Sequence, residues 1–242
     1  MRKITFVAAL TLLTAGCADP ALEARVTALE TQVGALAKAG GSAAANAEAD
    51  KAAGQLVRDA SEAMKSGDIK TARAKVKEVK EKYGTTRAAR SAAQLEGQLS
   101  VFGKDAGSLN VEKWYGANET TFDDGEATLV VFWEEWCPHC RREAPKVQAT
   151  YEKYNSKGLN VVGLTRINKP DRSPESKTID FIKENNMTYP LAKEDGKVAQ
   201  HFAVQGIPAA AVVKDGKIVW RGHPAQLDDK MIEGFILSLI HI

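Results

Sequence analysis

Cysteine is scarce in this chain of 242 residues, with three in all: Cys17, Cys137 and Cys140. A structural zinc site wants a second ligand pair, and no cysteine follows Cys140. Haem attachment wants a histidine directly after a CxxC pair, and Arg141 stands there. An excess of charge is missing too. The formal net charge is +2, Arg2 and Lys3 lie in a segment expected to be removed, and no Asp or Glu precedes Asp19. The remaining chain balances near zero, which argues against nucleic acid or an acidic surface as partner. No repeat recurs at a fixed period, so a stable solenoid is excluded. What is present, 44% hydrophobic and 26% charged residues, suits one domain of ordinary size with appendages.

The chain is organised around Thr128 to Pro145, TLVVFWEEWCPHCRREAP. Leu129 to Trp133 is β-branched and aromatic enough for a buried strand. Glu134, Glu135 and Trp136 lead to Cys137, Pro138, His139 and Cys140, and a segment of helical character follows. A strand feeding a helix that begins at CxxC puts the first sulfur at the helix N-terminus. There, free N–H groups and the helix dipole favour its thiolate. A redox dithiol is the reading; a merely structural pair is the bland alternative, since so short a loop staples little of the chain.

Residues from about Ser108 to the end resemble a thioredoxin-fold protein of the TlpA/ResA branch of extracytoplasmic thiol–disulfide oxidoreductases. The resemblance rests on Phe132-Trp133, Trp136-Cys137-Pro138-His139-Cys140, Glu143, Pro145 and Gly206-Ile207-Pro208. It implies an α/β, thioredoxin-like three-layer fold over 108–242, a central mixed sheet flanked by helices. It also implies a redox-active Cys137–Cys140 disulfide with no other cofactor and no metal. Cys137 is then the exposed attacking thiolate, and Cys140, one turn in, the buried resolving thiol. Pro208 becomes a cis-proline facing the dithiol, and Ile207, with Trp136, a substrate contact. An ordinary trans proline at a strand start is the alternative. Glu143 takes the place of the base serving Cys140; a solvated helix residue is its alternative. The CPHC tetrapeptide resembles DsbA-type oxidants instead. There His139 would donate to the Cys137 sulfur and, with Pro138, tune the potential upward. His201 and His223 have no partner visible in sequence and read as structural.

Ahead of this domain, 1–16 reads as a signal peptide with the apolar core Ile4–Leu13, too short to span a bilayer. Thr14-Ala15-Gly16-Cys17 resembles a lipobox, with lipid on Cys17; an ordinary signal peptide with a free Cys17 is the alternative. Leu22, Val26, Leu29, Val33 and Leu36 form a heptad seam lasting just over two heptads, either a short oligomerising stalk within 17–41 or a single amphipathic helix. Ala39-Gly40-Gly41-Ser42 is expected to end it, leaving 42–52 as a linker or frayed helix. Residues 53–103 read as a separate all-helical module of three helices, the second capped by Asp68 and the third restarted at Thr85 or Thr86.

The function that follows is a membrane-tethered, periplasmic-side oxidoreductase. It would reduce protein disulfides of exported proteins or apocytochromes, with electrons from a membrane or periplasmic donor. An oligomeric isomerase or an oxidase, a peroxidase and a non-catalytic redox-sensing adaptor are the rivals.

Overall fold

The computed structural model describes residues 20–116, 118–169, 171 and 173–237. Residues 1–16 and Cys17 lie outside them, as do the side chains of Leu22 and Leu36. The chain divides into two compact units, Met1–Glu48 and Ala49–Ile242.

Helix α1 runs from Pro20 to Lys65 without a break. The expected linker at 42–52 is therefore helical. Gly40 and Gly41 cost about 1 kcal/mol each against alanine, but the alanines around them are the strongest helix formers there are. Val26, Leu29 and Val33 stay exposed on it. No helix among the described residues is long and apolar enough to cross a membrane.

In the second unit α2 (Ile69–Tyr83) starts at Asp68, whose carboxylate accepts the Thr71 N–H at 3.0 Å. Helix α3 (Ala88–Leu99) has no side-chain cap; the Thr86 hydroxyl donates to the Tyr83 carbonyl instead. These helices are not a separate domain. Val76, Val79 and Leu99 belong to one apolar cluster with Leu129, Val131 and Val147. Their stripes are too narrow to close a core alone, so they share that of the sheet.

Six strands make that sheet: β1 (Lys113–Trp114), β2 (Ala127–Phe132), β3 (Leu159–Thr165), β4 (Leu191–Lys193), β5 (Ala209–Lys214) and β6 (Lys217–Gly222), in the order β1-β4-β3-β2-β5-β6. β2, β3 and β4 run parallel; β5 and β6 form an antiparallel hairpin across Asp215-Gly216, and β1 pairs antiparallel with β4. The short β4 was missed in the sequence because three residues carry no periodicity of their own. Alternate residues of β2 enter opposite cores, Leu129 and Val131 on one face and Val130 and Phe132 on the other. Helices α4 (Pro138–Tyr154), α5 (Glu175–Glu184), α6 (Lys197–His201) and α7 (Asp229–Ile236) complete the thioredoxin-like layers.

Candidate active site

Helix α4 follows β2 after the short connection 133–137. Cys137 is its N-cap, with Pro138 at the first helical position, where its missing N–H costs nothing. The Cys140 N–H donates to the Cys137 sulfur at 3.4 Å, and the Cys137 thiol donates to the Ile207 carbonyl at 3.7 Å. The Ile207–Pro208 peptide bond is cis. Both cysteines are thiols and both are buried, Cys137 at 5% exposure and Cys140 at 2%. The expectation of an exposed Cys137 is thus corrected: the Ile207 loop lies against its sulfur.

Burial, and then the hydrogen bond with Cys137, push the Cys140 thiol far above its ordinary range. The Glu134 backbone pulls the other way, and the charge of the Glu134 carboxylate adds to the rise. Glu134 is the acid the sequence reading passed over. It is 3% exposed, with one carboxylate oxygen accepting the Arg166 N–H at 3.0 Å and the other the Thr165 hydroxyl at 3.2 Å. Burial raises its pKa, against the N–H donors of Arg166, Asn168 and Ile167 and the Thr165 hydroxyl. An acidic residue directly after the apolar run Leu129 to Trp133 was the available signal, because the end of that run carries it inside.

Glu143 is also buried, but its carboxylate accepts from Lys146 Nζ at 2.9 Å, and its side chain lines a pocket with Leu129, Val147, Pro224 and Ile232. The carboxylate whose charge acts on Cys140 is that of Glu134. His139 departs from expectation too. It is exposed, and its Nδ1 accepts from the Arg142 guanidinium at 2.5 Å; among the described residues the hydrogen bonds of the Cys137 sulfur go to the Cys140 N–H and the Ile207 carbonyl, not to His139. Trp136 is half-buried, with the Lys169 ammonium 3.5 Å from its ring centroid. His223 is brought near Glu143 and His139; burial lowers its pKa, and the Glu143 charge works against that.

The cis-proline loop separates two clefts. One, of about 160 Å³, is lined by Phe132, Glu134, Trp136, Arg166 and Glu194 beside Gln205–Ile207. Glu194 is 1% exposed; one oxygen accepts the Gly196 N–H at 2.7 Å, while the other has no hydrogen-bond partner and lies 3.9 Å from Arg166 Nε. The second cleft, of about 210 Å³, lies between the loop and α3. No group of three or more His, Cys, Asp or Glu among the described residues could hold a metal ion.

Residues 103–221 match the AhpC/TSA family. The chain is 27% identical to the sporulation thiol-disulfide oxidoreductase A of Bacillus subtilis over 38% of its own length and 54% of the relative's. It is 27% identical to the thiol-disulfide oxidoreductase ResA of Bacillus cereus over 48% and 64%. The chain therefore spans a little over half the length of these relatives. Among solved structures it resembles StoA from Bacillus subtilis, at 22% identity, covering 52% of this chain and 94% of that one, with a TM-score of 0.44. It also resembles the thioredoxin domain of a thiol-disulfide oxidoreductase from Bacteroides vulgatus, at 21%, 58%, 98% and 0.46 respectively. The stretch matched by the AhpC/TSA family model, 103–221, carries the dithiol, the cis-proline loop and the two buried acids beside it, on a thioredoxin-like fold.

Proposed function

We propose that this protein is a thiol–disulfide oxidoreductase that reduces disulfides of other proteins. One observation carries the reading: Cys137 caps α4 directly against the carbonyl before cis-Pro208, with Cys140 one turn behind it. The Cys137 thiolate attacks a substrate disulfide, one substrate thiol leaves, and a mixed disulfide remains. The Cys140 thiolate then attacks the Cys137 sulfur and releases the second substrate thiol. The substrate gains two electrons, and the protein is left as the Cys137–Cys140 disulfide until an external dithiol reduces it. Glu134, rather than Glu143, takes the Cys140 proton.

The reductive direction is supported by the partners of the first sulfur. Strong oxidants owe their potential to a stabilised reduced form. Here His139 turns to Arg142, leaving Cys137 one N–H donor. The names of the relatives support the general activity. Extracytoplasmic tethering through lipid on Cys17 and association through the exposed Val26, Leu29 and Val33 are part of the same reading.

The test is the reduction potential of the dithiol by glutathione equilibration, together with trapping. A value near or below about −250 mV supports a reductase, and one near about −120 mV replaces it by an oxidase or isomerase. Cys137→Ser removes exchange altogether, and Cys140→Ser accumulates the mixed disulfide. A Cys137→Ser protein that still exchanges would overturn the assignment.

A further inference from the structure

The loop at Gln205–Pro208 has a second wall, and it comes from outside the thioredoxin-like part. Gln94 and Gln98, one turn apart on α3, line the 210 Å³ cleft with Gln205, Gly206, Pro208 and His223. Helix α3 reaches the loop so closely that a β-carbon on Gly97 would stand 2.8 Å from Nε2 of Gln205. Its C-terminal end is held by the Arg73 guanidinium, which donates to the Leu99 carbonyl at 3.0 Å. Beyond it the chain pairs with β6: Gly103 N–H to Ile218 O at 2.9 Å, Ile218 N–H to Lys104 O at 2.9 Å and Ala106 N–H to Gly216 O at 2.8 Å.

Amides dominate the chemistry of this cleft, beside one engaged cation. Arg221 lines it, but its guanidinium is occupied by the carbonyls of Phe202, Ala210 and Gly222. Nδ1 of His223 accepts from the Ala225 N–H. No carboxylate lines the cleft. What it offers a ligand is three primary amides, each both donor and acceptor, which is the pattern a peptide main chain presents in return. There is room as well, since a β-carbon on Gly206 would meet nothing within 4 Å.

We propose that Gln94 and Gln98 of α3, with Gln205, form an amide wall that holds the main chain of an extended polypeptide segment flanking the cysteine presented to Cys137. The proposal rests on the thiol–disulfide reading and gives the helical region a part in it: positioning the substrate protein beside the dithiol. A small disulfide, with no chain to lie along the loop, gains nothing from this wall.

The experiment uses the full chain and two substrates with the same leaving group. One is an extended synthetic peptide whose single cysteine is capped as a mixed disulfide with mercaptoethanol; the other is hydroxyethyl disulfide. For the Gln94→Ala/Gln98→Ala double variant, kcat/KM with the peptide is expected to fall about tenfold through KM, the loss of two ordinary hydrogen bonds. The rate with hydroxyethyl disulfide and the glutathione equilibrium stay as in wild type. Gln98→Glu, which keeps acceptors and loses donors, falls in between. An unchanged peptide KM overturns the proposal. So does an equal loss on both substrates, which would mark a general disturbance of the fold. Wild-type protein inactive on both substrates would sink the thiol–disulfide reading itself, whereas an active wild type with an indifferent double variant sinks only the amide wall.

Discussion

The two sides of the cis-proline loop are built from opposite materials. On the side of Glu134 and Glu194, apolar walls from Phe132, Trp133 and Leu164 surround two carboxylates, and burial raises both. On the side of α3, the lining is amide, and the one guanidinium, lowered to about 10 by burial, is held by three carbonyls. Charge placed in a poorly solvated cleft acts over distance on a neighbouring thiol, whereas a neutral amide acts only on what touches it. The acidic side is thus suited to proton movement at Cys140 and the amide side to holding a chain. Each prediction below breaks or sharpens that division.

The largest effect is expected from Glu134→Gln. If this carboxylate accepts the Cys140 proton, the variant resolves its mixed disulfide roughly a hundredfold more slowly, within the range of a lost general base. The base is available only above its raised pKa, so the wild-type rate climbs with pH through that point and the variant lacks this limb. Glu143→Gln, with its carboxylate already held by Lys146, leaves the profile in place. Stopped-flow measurement of thiol release against pH checks both. Faster resolution in Glu134→Gln would mean that the carboxylate acts only as a fixed charge opposing the thiolate.

Much of the site was legible because it is local. A β-branched run followed by CxxC defines β2, the N-cap and the order of the sulfurs within a dozen residues. The features that divide the loop into two sides are not local. Glu134 is a base candidate only because β3 brings the Arg166 N–H and the Thr165 hydroxyl to it. Gln94 and Gln98 read as ordinary polar helix positions until tertiary packing lays α3 against a loop more than a hundred residues away. The break expected at Gly40-Gly41 failed for the reverse reason: local propensity over many alanines outweighed two glycines.

A smaller effect concerns stability. Glu194 has a folded pKa above its ordinary value of 4.5, so as pH rises the unfolded chain loses that proton first. The fold therefore loses stability between the ordinary and the raised value, and the loss persists at neutral pH. Glu194→Gln keeps an oxygen for the Gly196 N–H and removes the titration. Denaturant unfolding at pH 4 and pH 7 is expected to show the wild type losing more stability on that rise than the variant. Parallel changes in both proteins would mean that Arg166, 3.9 Å away, already compensates the charge.

The smallest effect separates the fold from the cleft. Gly97 lies inside α3, where alanine is the better residue by about 0.5–1 kcal/mol. Its new methyl group would meet the amide end of Gln205, a flexible side chain that can swing aside at little cost. Gly97→Ala should therefore melt slightly higher than wild type while displacing one of the three amides of the wall. A KM for the capped peptide raised about twofold to threefold, with hydroxyethyl disulfide unaffected, is the expected outcome, below one lost hydrogen bond in size. Stability and substrate affinity would then move in opposite directions in a single substitution. A variant that gains stability and keeps the wild-type KM would show that Gln205 reaches the substrate equally well from its displaced position, leaving Gln94 and Gln98 as the wall.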